Sequence, residues 1–297
     1  MSMIEIDNYL NYCDTQYQNS NPCNCGDDCV NSNYCQNAKI DCYNCIMRVH
    51  NYNNIKIHYN CPKMIYNYVL KHSYRFAAEI FYQFGRIQSK VSKWDDIYIT
   101  SIGCGPCTEL FGALLQWRIM GKQDSHFHFR GFDLEPMWKP LINQVPTFFN
   151  NADIQVYVAD VFESYASFEE RIDVVVLNYM LSDMLKFKKS EFGVFLSLLS
   201  AFIQHFKPKF VLVNDVYLKV STSASEQLIN VLSNKGLVQN CLKIRYKGLK
   251  TYIGEFGEKI EREPFNMPNK AIIDKYNPFD HVDSIQTIIE IRNDTQR

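Results

Sequence analysis

Residues 97–120, IYITSIGCGPCTELFGALLQWRIM, decide the fold. Ile97, Ile99 and Ile102 mark a short apolar run of strand length. It leads straight into Gly103-Cys104-Gly105-Pro106-Cys107, and from Thr108 the pattern turns helical. Glycines at 103 and 105 let the backbone turn sharply and come close to a bound molecule, while a helix opening near Thr108 aims unpaired N–H groups at it. A G-x-G pair alone also occurs in ordinary strand-to-helix turns, so its neighbours carry the argument.

Downstream, FHFRGFD, IQVYVADVF, IDVVVLNYM and KFVLVNDVY repeat the apolar run, with helix-like stretches between most of them. That alternation predicts an α/β fold, a parallel sheet covered by helices on both faces. The tail differs. LVQNCLKIRYKG, KTYIGEFGEKIE and SIQTIIEIRN have strand character without crossover helices throughout, so the sheet is expected to end in antiparallel strands. Upstream, Ile65, Val69, Phe76, Ile80, Phe84 and Ile87 recur at helical spacing between Met64 and about Gln88. The chain thus divides into a cysteine-rich module (1–62), a linking helix (63–93) and an α/β domain (94–297).

The second strand ends at Asp133-Leu134-Glu135, beside the glycine turn in a doubly wound sheet, where an acid can accept two ribose hydroxyls. The third ends at Ala159-Asp160-Val161-Phe162, an acid with apolar neighbours able to sandwich a purine. In these segments the chain resembles the class I S-adenosylmethionine-dependent methyltransferases: SIGCGPCTELFG is similar to their glycine-rich first motif, GFDLEP to the second, VADVF to the third and DVVVLNYMLSDM to the fourth. The resemblance covers about Lys93 to Arg292 and implies a Rossmann-like sheet binding S-adenosylmethionine. It implies Gly103 and Gly105 beside the methionine portion, Asp133 with Leu134 at the ribose, and Asp160 with Val161 at the adenine edge. It also sets Asn178, Tyr179, Ser182 and Asp183 near the transferred methyl, with Asn178 bordering the cofactor and Asn178 and Asp183 facing the acceptor. Cys107 stands where many members carry another glycine.

A nicotinamide site also uses a glycine turn and an acid. Here Thr108 occupies the third glycine position of that pattern, Asp133 comes late, and three terminal strand-like segments suit the methyltransferase sheet better. The fourth segment lacks the N/D-P-P-Y/F form that grips amino groups of nucleic-acid bases. An acid at 183 reads equally as a helix cap, and Asn178 as a partner of backbone groups.

Eight of the 11 cysteines precede residue 62, in a segment rich in Asn, Asp, Tyr and Ser with no sustained period. Cys23, Cys25, Cys29, Cys35, Cys42, Cys45 and Cys61, with Cys13 upstream and His50 and His58 nearby, offer ligands for two tetrahedral sites. Zinc is the expected metal, since thiolates are soft ligands and a coreless module needs the folding energy that metal supplies. An iron–sulfur cluster and free or redox-active thiols are the alternatives. Cys104 and Cys107 lie within the glycine turn and are read as packing groups.

The formal net charge of -1 provides no global pull toward nucleic acid. The first residues lack a leader pattern, and no run of about 18 apolar residues could span a bilayer, so a cytoplasmic, membrane-free protein is expected. Lys243, Arg245 and Lys247 alternate along one strand face, a site for phosphate or acidic protein or else a solvated face. His72, Tyr74, Arg75 and Tyr82 lie on the linking helix, at the pocket or in packing. A methyl acceptor that is RNA or protein is expected ahead of a small molecule, with the metal module as a recognition element. A noncatalytic cofactor-binding or scaffold protein is the rival of a different class.

Overall fold

The repeated apolar runs become strands in one sheet, as β1 (Ile97–Ile102), β2 (Phe127–Asp133), β3 (Asp153–Val158), β4 (Val174–Asn178), β5 (Phe210–Val216), β6 (Val238–Lys247), β7 (Lys250–Ile253), β8 (Lys259–Glu261) and β9 (Ser284–Ile291). The computed structural model describes residues 4–20, 42, 46, 61–164, 170–247, 250–253, 259–261, 270–276 and 283–292. The strand order is β3-β2-β1-β4-β5-β9-β6-β7-β8. Strands β1 to β5 pair in parallel. Strand β9 runs antiparallel between β5 and β6, and β7 and β8 continue antiparallel to the edge. This is the Rossmann-like arrangement with antiparallel C-terminal strands that the alternation and the tail predicted.

Among the described residues the α-helices are α1 (Ile4–Asn19), α2 (Pro62–Tyr68), α3 (Tyr74–Val91), α4 (Thr108–Ile119), α5 (Lys139–Gln144), α6 (Val161–Ser164), α7 (Leu181–Phe187), α8 (Lys189–Phe206), α9 (Lys219–Asn234) and α10 (Lys270–Tyr276). They cover both faces. One core joins α1 to α4 with the sheet through Tyr9, Phe84, Phe111, Trp117 and Phe129. The other joins α8 and α9 with it through Phe192, Phe202, Val211, Val213 and Leu228. None of the helices among the described residues is long and apolar enough to cross a membrane.

Two features differ from the sequence expectation. The linking helix is not one α-helix: a π-helical turn, Val69–Ser73, separates α2 from α3, and such turns concentrate at functional sites. Across it Tyr68, His72 and Phe76 form successive ring contacts. Second, residues 4–19, read as irregular, form α1. Ile6, Tyr9, Leu10 and Cys13 are buried at helical spacing, with a tyrosine and a cysteine taking places normally held by aliphatic residues. The helix is anchored by Glu5 on Arg118 at 2.6 Å and by the Tyr9 hydroxyl, which donates to the Pro106 carbonyl at 3.1 Å.

Helix α3 crosses α4 at backbone contact. A Cβ added to Gly112 would lie 2.1 Å from the Ala77 carbonyl oxygen and 2.8 Å from the Phe81 nitrogen. Glycine therefore sets how near the linking helix sits to the helix that follows the glycine turn.

Candidate ligand site at the strand ends

The glycine turn has the geometry its residues suggest. Gly103 and Gly105 take φ of 68° and 48°, and Cys107 is left-handed at 58°. The cysteine thus adopts a backbone conformation that favours glycine, at a steric cost. An added Cβ on Gly103 would stand 2.9 Å from Met180 Cγ, while one on Gly105 would reach the Trp138 ring at 3.6 Å. Cys104 and Cys107 are buried with their sulfurs 3.7 Å apart, and burial pushes both thiols up. They are neutral packing groups.

Asp133 closes β2 against this turn. Its carboxylate accepts the Gly105 N–H at 2.7 Å and the Glu135 N–H at 2.8 Å, and burial raises it to about 6. The acid read as a ribose ligand therefore also ties the second strand to the turn. Leu134 beside it is 62% exposed, an apolar surface at the rim. The Ala159 N–H donates to the Asp133 carbonyl at 3.0 Å, which sets the end of β3 alongside. There Asp160 accepts the Phe162 N–H at 2.8 Å, and Val161 turns into the core.

Asn178 ends β4 and is buried. Its Nδ2 donates to Thr108 Oγ1 at 3.2 Å and to Glu109 Oε2 at 3.4 Å, while its oxygen accepts from Asn214 Nδ2 at 2.9 Å. Asn178 so welds α4 to β5. Tyr179, the next residue, has φ of 54°, a strained conformation of the kind that gathers at functional sites. Its ring stacks on Phe76 at 3.8 Å between centroids, and its hydroxyl donates to Glu79 at 2.9 Å. Glu79 is buried and also accepts from Asn214 and Ser284. In this way α3 closes over the ends of β4, β5 and β9.

Asp183 on α7 is pushed up to about 6 by burial. Its neighbour Ser182 donates both its N–H, at 2.9 Å, and its hydroxyl, at 2.6 Å, to Asp215. Asp215, buried at the end of β5, is raised to about 7 by burial, with the charge of Asp183 adding to the effect. Glu109, Glu79, Asn214 and Asp215 belong to this site and were not among the residues read from the sequence. The polar pair Asn214-Asp215 closing an otherwise apolar strand was the available signal.

Arg75 on α3 lies over the Phe76 and Tyr179 rings. Arg245 pairs with Asp283 at 2.7 Å and lies over the Tyr217 ring, and Lys243 pairs with Glu226. Cys13, Cys42 and Cys61 are buried, whereas Cys23, Cys25, Cys29, Cys35 and Cys45, with His50 and His58, lie outside the described residues. Among the described residues no group of three or more His, Cys, Asp or Glu is placed to hold a metal.

No protein-family model matches the chain, and no curated protein does. Among solved structures it is similar to the plantazolicin methyltransferase BpumL in complex with a pentazolic desmethylPZN analogue and SAH, at 12% identity over 98% of each chain with a TM-score of 0.43. It is also similar to Aeropyrum pernix fibrillarin with natively bound S-adenosyl-L-methionine, at 12% identity over 66% of this chain and 67% of that one, TM-score 0.37. A third is precorrin-6y C5,15-methyltransferase from Geobacter metallireducens, at 14% identity, 70% and 87% coverage and TM-score 0.40. The fold assignment rests on the strand order and pairing described above.

Proposed function

We propose that this chain is an S-adenosylmethionine-dependent methyltransferase acting on a macromolecular acceptor, RNA or protein. One observation carries the cofactor reading. The left-handed glycine turn, with Asp133 bonded to it, sits at the carboxyl end of β1, in a sheet whose order reverses between β1 and β4 and which inserts an antiparallel strand after β5. Ligands of open α/β sheets bind at that switch point. Gly103 and Gly105 hold the turn in left-handed backbone conformations that favour glycine, which suits a cofactor approached by backbone. Asp133 and Leu134 provide an acid and an apolar rim for a nucleoside, and Asp160 a second acid at the next strand end.

The cofactor supplies a methyl group on a sulfonium, which is already a good electrophile. The chain's own part is to hold the acceptor in line and to exclude water. Tyr179, Phe76 and α3 provide the exclusion by covering the ends of β4 and β5. Asn178 organises the wall between cofactor helix and acceptor side, and Asp183 with Asp215 are the acids able to take or orient a proton there. A macromolecular acceptor is favoured by the cysteine-rich sequence between Cys13 and Cys61, whose density of thiols suits a metal-bound recognition element. The enclosure by α3 favours a second reading, a small-molecule acceptor.

Calorimetry with S-adenosylmethionine tests the first step: wild type is expected to bind, and Gly103→Ala to lose about tenfold or more in affinity, since the new Cβ meets both Met180 and a left-handed φ. Failure of a folded wild type to bind would overturn the reading. Labelled cofactor incubated with fractionated cell extract then identifies the acceptor, with label expected in RNA or protein. Label confined to small metabolites would transfer the proposal to the second reading, and binding without any transfer would leave a noncatalytic binder.

A further inference from the structure

Glu109 is the second residue of α4, directly after the glycine turn, and is 1% exposed. Its carboxyl receives the Ser101 hydroxyl at 2.5 Å from β1 and Asn178 Nδ2 at 3.4 Å from the end of β4, with the Thr108 hydroxyl at 3.5 Å. It therefore spans the two strands between which the sheet order reverses, under the crevice where a ligand of this fold binds. All three partners are neutral. The titratable groups that feel its charge are Tyr9 on α1, Cys104 and Cys107 in the turn and Asp133 on β2, every one neutral or negative.

Among the described residues no cation pairs with Glu109, whereas Glu79, further along the same network, has Arg75 at 3.8 Å. A buried carboxyl without a counter-charge holds its proton, and burial places this one at about 7. A cationic ligand would complete the pair.

Building on the cofactor reading above, we propose that Glu109 is the counter-charge for the α-ammonium group of the bound cofactor and takes up that role by giving its carboxyl proton to solvent as the ammonium arrives. Only the carboxyl O–H bond breaks. The products are a carboxylate–ammonium pair and a proton taken up by buffer. Affinity for a ligand bearing the ammonium therefore rises as pH climbs toward about 7 and levels off above it.

The test is calorimetry on the full chain at about pH 6.5, in two buffers of different ionisation enthalpy. One ligand is S-adenosylhomocysteine, which has the ammonium but no sulfonium. The other is 5′-methylthioadenosine, which keeps the nucleoside and lacks the amino-acid portion, so that any proton released by Asp133 appears with both. Wild type is expected to release a proton with S-adenosylhomocysteine beyond any released with 5′-methylthioadenosine. Glu109→Gln is expected to weaken S-adenosylhomocysteine about tenfold and 5′-methylthioadenosine less than about twofold. Equal proton release by the two ligands in wild type, or equal weakening of both in the variant, overturns the pairing while leaving the cofactor reading intact. If Glu109→Gln fails to fold, the wild-type buffer comparison decides alone. A folded wild type that binds neither ligand overturns both the cofactor reading and this inference.

Discussion

The carboxyls at the strand ends behave unlike surface acids. Glu109 and Asp215 are raised to about 7, and Asp133 and Asp183 to about 6, in each case chiefly by burial. The native chain consequently binds more protons than the unfolded chain between the ordinary carboxylate range and these values, so the contribution of all four to stability falls as pH rises from about 4 to about 7. Asp153 works in the opposite direction. Arg130 and His128 hold it at about 2 despite burial, and its contribution is lost only as pH falls toward that value. The ligand-free protein is therefore expected to melt at a higher temperature near pH 5 than near pH 7.5. A melting temperature that rises across that interval in a thermal scan would contradict the burial of these groups. Asp133, Asn178 and Asp183 were legible as polar residues closing apolar strands or opening the next helix. Glu109 was not, because an acid in a helix's first turn reads as an ordinary complement to the helix dipole, and only the approach of Ser101 and Asn178 gives it another role.

Among the elements, α3 matters more than a linker would. It packs its backbone on α4 at Gly112 and inserts Glu79 and Phe76 over the strand ends. Gly112→Ala would normally favour a helix by about 1 kcal/mol, but here the methyl meets a carbonyl oxygen, and overpacking of this kind costs up to about 3 kcal/mol. The expected result is a net loss of stability, read as a melting temperature several degrees lower, with cofactor affinity reduced as α3 is displaced. An unchanged or higher melting temperature would contradict the close crossing. The helical spacing of Ile80, Phe84 and Ile87 revealed that α3 exists, but the π-helical turn before it left no trace in that spacing. Helix α1 escaped notice for a related reason: its buried stripe includes Tyr9 and Cys13, residue types that also fit a binding surface or a metal site.

At the scale of the whole molecule, Cys13 and Cys61 of the cysteine-rich segment are buried in the core that joins the first helices to the sheet. The eight cysteines from Cys13 to Cys61 would fill two tetrahedral zinc sites, and metal analysis of the purified full chain is expected to find zinc, with chelation lowering the melting temperature. A folded chain without bound metal would remove zinc from the account and leave these cysteines as thiols. The order of strands and helices from β1 to β6, the glycine turn and the acids at successive strand ends were determined by local sequence, because hydrophobic period, left-handed backbone preference and turn chemistry act over a few residues. The tertiary structure alone decided that β9 enters between β5 and β6, that α1 and α3 close on the site, that Glu109, Glu79 and Asn214 join through Asn178 in one buried network, and that Asp215 beside it holds Ser182. Those outcomes depend on contacts between segments far apart in the chain, where burial rather than local propensity sets the energy.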